Sequence, residues 1–120
     1  MRHMPAVSVV IASRNYGRFL AGAVRSVLQQ TYPDFELLII DDGSTDDTPS
    51  VARQFFNEPR VRTIRTDGLG QSRAKNLGIQ LSSAPLIAFL DGDDEWLPEK
   101  LERQLPLFVT PISGSSTRIE

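Results

Sequence analysis

The sequence predicts an α/β fold in which helices cover both faces of a parallel sheet. Short apolar segments alternate with stretches whose apolar residues recur at helical spacing. Three of the four apolar segments are apolar at almost every position, which is typical of strands buried on both faces. Each of these three runs directly into polar or acidic residues. Because strands separated by helices pair in parallel through crossovers, the four strands predict a Rossmann-like sheet.

The predicted strands cover residues 7–12, 35–40, 61–65 and 85–90. The third is the least apolar, so we expect it nearer the sheet edge. Four helices follow the strands, and Thr48 and Pro49 are interpreted as the N-cap and first turn of the second. Pro98 and Glu99 are placed in the first turn of the last helix. The predicted buried stripes are Leu20, Ala23, Val24, Val27 and Leu28; Val51, Ala52, Phe55 and Phe56; Ala74, Leu77, Gly78 and Leu81; and Leu97, Leu101 and Leu105.

The composition is that of an ordinary globular protein. The chain has 120 residues, 40% of them hydrophobic and 23% charged, which fits one globular domain. We assign the domain to residues 1–105 and a flexible tail to residues 106–120. The net charge of −2 gives no reason to expect a nucleic-acid partner. No apolar run approaches the ~20 residues of a transmembrane helix. Residues 1–5 are too short for a signal peptide and lack its apolar region, so the expected compartment is the cytosol.

Polar residues follow three of the predicted strands, at 13–16, 41–44 and 91–94. In parallel sheets, ligands bind outside the carboxyl ends of the strands. The absence of cysteine leaves oxygen atoms as the main metal ligands. Asp91 and Asp93 have the spacing that lets two carboxylates on a turn face one divalent ion, and Gly92 permits that turn. The alternative is a polar turn after a buried strand. Together the three clusters suit a nucleotide whose phosphates bind a metal.

Four ordered motifs carry a resemblance to a known family. They are VSVVIASRNY at 7–16, SVLQQTYPDFELLIIDDGSTD at 26–46, the spaced residues Gly70, Ala74, Asn76 and Gly78, and LDGDD at 90–94. In this order the sequence resembles the nucleotide-binding half of a family 2 glycosyltransferase with the GT-A fold. The resemblance covers residues 7 to about 105, and it implies a role in the transfer of sugar from a nucleoside diphosphate to an acceptor hydroxyl.

The resemblance also implies site residues. Asp41 would bind the base, most often the uracil of a UDP-sugar, and Asp91 would lie near the ribose and the metal. Asp93 would bind Mg²⁺ or Mn²⁺. The remaining residues assigned to the donor nucleotide are Ala12, Ser13, Arg14, Asn15, Asp42, Gly70, Arg73, Asn76 and Gly92.

The sequence departs from the family at two points. Lys75 stands where the family has an arginine, and we expect Arg73 to supply the guanidinium. After Asp94 the chain offers only four glutamates, none in the family's general-base motif, so no catalytic residue is assigned. The alternative function is a nucleotide-sugar-binding fragment without transfer activity. The acceptor stays undetermined. An uncovered sheet edge predicts self-association, and peripheral attachment to a membrane is the second expected location. Trp96 is interpreted either as core or as a wall of the sugar site.

Overall fold

Five parallel strands form one sheet in the computed structural model, which describes residues 4–105 and 117–119. The strands are β1 (Val7–Ser13), β2 (Phe35–Asp41), β3 (Val61–Arg65), β4 (Leu86–Phe89) and β5 (Thr117–Ile119). Their order across the sheet is β3-β2-β1-β4-β5. The predicted fold class is therefore confirmed, and the first four strands lie within a residue or so of their predicted limits. Among the described strands, β3 lies at an edge, as its lower apolarity predicted.

Four helices cover the two faces of this sheet: α1 (Gly17–Leu28), α2 (Thr48–Arg53), α3 (Gln71–Leu81) and α4 (Lys100–Gln104). Side chains alternate along each strand, so β1 and β2 contribute to two separate cores. Ile11 and Ile39 pack on the face that carries α1, α2 and α4. Val10 and Leu38 pack on the opposite face, against α3. Burial on both faces explains why these strands are continuously apolar.

The structure corrects the predicted start of α2 and the end of its buried stripe. Thr48 is the first helical residue rather than the N-cap, and Asp47 occupies the cap position without a side-chain capping bond. Instead, Asp46 Oδ1 accepts a hydrogen bond from the Thr48 backbone N–H at 2.9 Å. Phe56 is 62% exposed, not buried. The reason is that α2 ends at Arg53, so Phe56 lies in the following turn and no longer follows the helical stripe.

The last helix is also shorter than predicted. It begins at Lys100, so Pro98 and Glu99 precede it, and Leu97 is 74% exposed. A buried amide holds the preceding segment in place: Gln30 Nε2 donates to the Leu97 carbonyl at 2.7 Å, and Gln30 Oε1 accepts from the Leu101 N–H at 3.0 Å. These bonds fix the backbone on both sides of the helix start, at Leu97 before it and at Leu101 in its first turn.

The segment predicted as a tail includes a short strand. Thr117–Ile119 forms β5 and pairs with β4. Residues 106–116 and 120 of that predicted tail lie outside the described residues, so the domain boundary at residue 105 stays a prediction. No helix in the described part of the chain combines the length and apolarity needed to cross a membrane.

Gly78 sets the distance between α3 and β1. A Cβ atom at this position would lie 2.5 Å from Cγ1 of Val10, a fully buried residue of the central strand. We predict that Gly78→Ala destabilises the protein, because overpacking costs about 1–3 kcal/mol and exceeds the ~1 kcal/mol that alanine gains in helix propensity. Urea denaturation measures this difference.

Gly22→Ala is the matched control for this prediction. Gly22 also lies within a helix, but its added Cβ would meet only the end of the exposed Glu95 side chain, at 2.9 Å. That side chain can move, so the substitution should leave the free energy of unfolding unchanged or raise it by up to ~1 kcal/mol. Equal effects of the two substitutions would contradict the packing argument.

Candidate functional site

The carboxyl ends of β2, β1 and β4 lie side by side and bring the three polar clusters together. Ser13, the last residue of β1, pairs in register with Asp41, the last residue of β2. On the other side of β1, the Leu90 N–H donates to the Val10 carbonyl at 3.0 Å, which carries the chain from β4 to Asp91. The sequence therefore predicted correctly that these clusters share one edge of the sheet.

Asp41 is buried, and its carboxylate is bound by the protein itself. Its side chain is 3% exposed. Oδ1 accepts a hydrogen bond from the Ser44 N–H at 3.0 Å, and Oδ2 accepts one from Nη1 of Arg65 at 2.7 Å. Arg65 also donates to the Ser44 carbonyl at 2.9 Å. Asp41 thus closes the turn after β2 and ties it to β3.

Asp42 holds the loop that joins β3 to α3. Its Oδ1 accepts hydrogen bonds from the Thr66 hydroxyl at 2.7 Å and the Leu69 N–H at 2.6 Å, and its Oδ2 accepts one from the Gly70 N–H at 2.8 Å. Burial by itself raises the pKa of Asp42. The three hydrogen bonds and the positive charge of Arg14 together lower it by more, so the pKa lies below its ordinary value. We assigned Asp42 to the donor nucleotide, whereas its carboxylate is engaged by this loop.

Glycines allow the turn after β2 and the loop after β3 to approach each other closely. Gly43, Gly68 and Gly70 have φ angles of 79°, 73° and 93°. A Cβ atom on Gly43 would lie 3.0 Å from the Gly68 nitrogen, so the turn after β2 and the loop after β3 meet backbone to backbone. Glycine is needed at Gly43 for both reasons.

Asn15 connects the loop after β1 to the loop after β2. It has a φ of 61°, which asparagine tolerates better than most residues. Its Oδ1 accepts hydrogen bonds from the N–H groups of Thr45 and Asp46, at 2.8 and 3.2 Å. Its own N–H donates to the Ser44 hydroxyl at 2.9 Å. Asn15 is exposed, but its side-chain oxygen is occupied by these contacts within the chain.

Gly92 packs directly on the end of β1. A Cβ atom there would lie 2.8 Å from Ser13 Oγ and 3.2 Å from Tyr16 Cδ2. Ser13 is buried, and its hydroxyl has no hydrogen-bond partner among the described residues. Ala12 is buried beside it. The turn that carries Asp91 and Asp93 is therefore seated on β1, and any side chain at Gly92 would displace it.

Asp91 and Asp93 are exposed, and within residues 4–105 neither carboxylate forms a hydrogen bond or an ion pair. The described residues contain no group of three or more side chains arranged to hold a metal ion by themselves. Two free carboxylates nevertheless fit Mg²⁺, which is usually bound by one or two carboxylates together with substrate phosphates and water. The pair fits a metal that arrives with a diphosphate better than a permanent protein-bound ion.

The other predicted nucleotide contacts lie on exposed surface. Arg14 follows β1, Gly70 precedes α3, and Arg73 and Asn76 lie on α3. Lys75, which stands where the family has arginine, places its ammonium 5.6 Å from the centre of the Phe89 ring. That contact turns Lys75 towards the end of β4.

A cavity of about 680 Å³ opens beside Asp91. Its lining includes Lys75, Phe89, Glu95 and Trp96. Trp96 is half-buried against the core under α1, as the first interpretation has it, and it also lines the cavity; its place beside a sugar stays a prediction. The Trp96 N–H donates to the buried Ser26 hydroxyl at 3.1 Å, which fixes the position of this wall.

Arg65 and Thr66 are the site residues that sequence reasoning missed. Both lie where β3 ends, and β3 was interpreted only as an edge strand. The signal that could have found Arg65 is register: β3 pairs with β2 so that Arg65 lies opposite Asp41. Charge complementarity at the ends of neighbouring parallel strands is visible in the sequence once that register is assumed.

Comparison with known proteins gives a family and a set of relatives. The family model described as glycosyl transferase family 2 matches residues 8–116. The chain is 41% identical over 106 residues to an uncharacterized glycosyltransferase of Nostoc sp., which covers 87% of this chain and 33% of the relative. It is 36% identical over 103 residues to the putative teichuronic acid biosynthesis glycosyltransferase TuaG of Bacillus subtilis, covering 84% of this chain and 41% of TuaG. The chain thus spans well under half the length of these relatives.

Solved structures show the same fold. S. aureus TarS 1–349 in complex with UDP-GlcNAc matches with a TM-score of 0.77 at 23% identity, over 83% of this chain and 30% of that chain. The mannosyltransferase PcManGT from Pyrobaculum calidifontis, in complex with GDP-Man and Mn²⁺, matches with a TM-score of 0.71 at 23% identity, over 78% of this chain and 29% of that chain. With the family model matching residues 8–116, the chain belongs to glycosyl transferase family 2 and has the GT-A fold.

Proposed function

We propose that this chain forms the donor-binding part of a glycosyltransferase that transfers a sugar from a nucleoside diphosphate to an acceptor hydroxyl with inversion. The observation that carries the proposal is the convergence of three strand ends, which puts the exposed Asp91 and Asp93 on the same sheet edge as the buried Asp41, with the end of β1 between them. The family membership supports the reaction class. Relatives named for teichuronic acid and chondroitin synthesis favour a role in polysaccharide biosynthesis.

Asp91 and Asp93 would hold Mg²⁺ or Mn²⁺ against the diphosphate. Their exposed carboxylates would otherwise repel the phosphates, so the ion makes the two sets of negative charge compatible. When bound, the metal supplies charge stabilisation to the leaving nucleoside diphosphate. The Mn²⁺ in the structurally similar PcManGT supports this use of a metal.

The base and ribose are proposed to lie on the β1–β2 side of the edge. Asp41 would recognise the base, with Ala12, Ser13, Arg14 and Asn15 forming the floor and rim. UDP-sugars are the proposed donors, in line with the UDP-GlcNAc bound in TarS. Gly70, Arg73 and Asn76 would face the phosphates from the start of α3.

Asp42 is proposed to position the loop of residues 66–70 rather than to contact the nucleotide. Its carboxylate already accepts three hydrogen bonds at 2.6–2.8 Å from that loop. The loop leads directly into α3 and therefore sets the place of Arg73 and Asn76.

A nucleotide-sugar-binding fragment without transfer activity is the second candidate. It is favoured by the lack of an assigned general base among the glutamates after Asp94. The two candidates make the same prediction for donor binding and differ in turnover, because a positioned base contributes about 10²–10⁴-fold to rate. Release of nucleoside diphosphate in the presence and absence of acceptor sugars separates them. Acceptor, self-association and membrane attachment stay proposals.

We predict that nucleotide binding requires a divalent ion held by Asp91 and Asp93. Calorimetry should show UDP binding with Mn²⁺ present and a loss of most of that affinity when the ion is chelated. Asp93→Ala should weaken the metal-dependent binding by about tenfold or more, because one of two charged ligands is lost. Asp94→Ala is the matched control, since that exposed neighbour binds only the adjacent Glu95 N–H. Undiminished UDP affinity in chelator would refute the metal proposal.

A second prediction concerns the pH dependence of stability. Because the pKa of Asp42 is lowered in the folded state, its charged form is favoured there over the unfolded chain. The resulting stabilisation is complete above the unfolded-state pKa of about 3.9 and is lost as the pH falls through the folded-state pKa. Asp42→Asn should lower the free energy of unfolding by about 1–3 kcal/mol at neutral pH, because an amide N–H then faces backbone N–H groups.

The measurement is urea denaturation of wild type and Asp42→Asn from about pH 7 down to about pH 3, where the difference between them should shrink. Asp67→Asn is the control. It makes the same change on an exposed carboxylate of the same loop, which has no side-chain hydrogen bond or ion pair within residues 4–105. It should change stability by less than about 0.5 kcal/mol. A pH-independent difference for Asp42→Asn would contradict the role of its charge.

A further inference from the structure

Arg65 covers the ligand side of the carboxylate that the proposed function assigns to the base. It ends β3 directly opposite Asp41 in register, so the two side chains leave the sheet on the same face. The Asp41 side chain is 3% exposed, whereas the Arg65 side chain is 53% exposed. A ligand that approaches this end of β2 therefore meets the guanidinium before it meets the carboxylate.

Arg65 keeps N–H donors that form no hydrogen bond within residues 4–105. A guanidinium carries five N–H donors. Two of the nitrogens of Arg65 donate once each, Nη1 to Asp41 Oδ2 at 2.7 Å and Nη2 to the Ser44 carbonyl at 2.9 Å. The remaining donors have no acceptor within residues 4–105. These two hydrogen bonds hold the guanidinium group of Arg65 in one orientation. A further contact would therefore cost little additional conformational entropy.

We propose that Arg65 is a specificity-determining residue for the nucleotide base, with its free donors bound to a base carbonyl while Asp41 fixes its orientation. The proposal rests on the proposed function and assigns one further residue to it. The ligand chemistry is a base that carries a carbonyl oxygen beside a ring N–H, as uracil and guanine do and adenine does not. A guanidinium held by Asp41 would donate to that carbonyl, which adenine lacks.

The strand order separates this position from the metal ligands. Arg65 ends β3 and Asp91 follows β4, and β2 and β1 lie between them. Neighbouring strands are spaced by about 4.8 Å, so the two positions are about 14 Å apart along the edge. That is a suitable separation for the base and the diphosphate of one nucleotide. The positive charge of Arg65 is also paired with Asp41, which makes it a poor second phosphate ligand compared with an unpaired cation.

The test measures base recognition separately from phosphate binding. Isothermal titration with Mg²⁺ present compares UDP, ADP and inorganic pyrophosphate as ligands of this chain. Arg65→Ala should weaken UDP binding by about tenfold or more, leave pyrophosphate unchanged, and bring UDP and ADP to similar affinity. Arg65→Lys keeps a cation beside Asp41, which protects the fold, but loses the fork and should lose most of the preference for UDP.

Arg62→Ala is the matched control, because Arg62 is an exposed arginine of the same strand that bonds only the Leu81 carbonyl, at 3.3 Å. It should leave all three affinities unchanged. Equal weakening of UDP and pyrophosphate by both Arg65 variants, or an undiminished preference for UDP, would overturn the proposal for Arg65 alone. A wild-type chain that does not bind UDP would overturn the proposed function as well. Retained pyrophosphate binding shows that a variant is folded.

Discussion

Two adjacent carboxylates at the end of β2 are the constraint on which the rest of this edge depends. Asp41 and Asp42 are 2% and 4% exposed, and burying a charge is costly unless hydrogen bonds satisfy it. Asp41 is the last residue of β2 and Asp42 follows it, and the two carboxylates take different partners. Asp41 is satisfied by the turn at Ser44 and by Arg65, and Asp42 by the loop that ends at Gly70. The burial of these charges thus orders both loops.

Hydrogen bonding divides the acidic residues of this edge into two classes. The buried acids are saturated by their own chain and hold loops in place. Asp91 and Asp93 are exposed and have no such partners within residues 4–105. Two negative charges two residues apart, without partners in the described part of the chain, repel each other in the free protein. A bound cation removes this repulsion. Within residues 4–105, this contrast separates two carboxylates that are free to meet a cation from two whose oxygens already accept hydrogen bonds.

Much of this architecture was predictable from the sequence, because burial on both faces leaves an uninterrupted apolar pattern in β1, β2 and β4. The positions of the polar clusters followed from the rule that parallel strands end at one edge. The wrong predictions concern residues whose position is decided by tertiary contacts rather than by the local sequence pattern. Phe56 matched a helical stripe that continued past the end of its helix, and Leu97 lies in a segment held by Gln30 rather than by helical hydrogen bonds. Whether Asp42 binds a ligand or a loop depends on contacts with Leu69 and Gly70, 27 and 28 residues away, which periodicity cannot reveal.

The last residue of β1 joins the two halves of the edge. The Ser13 carbonyl accepts the Asp42 N–H at 2.9 Å, and Ser13 pairs in register with Asp41. Its hydroxyl side lies against Gly92, where an added Cβ would come within 2.8 Å. The turn that carries Asp91 and Asp93 and the turn that carries Asp41 therefore share one reference point in the central strand. Because close-packed interiors yield little to small displacements, the spacing between the two ends of the edge is set by the sheet itself. The distance between the turn with Asp41 and the turn with Asp91 and Asp93 is therefore set before a ligand binds across this edge.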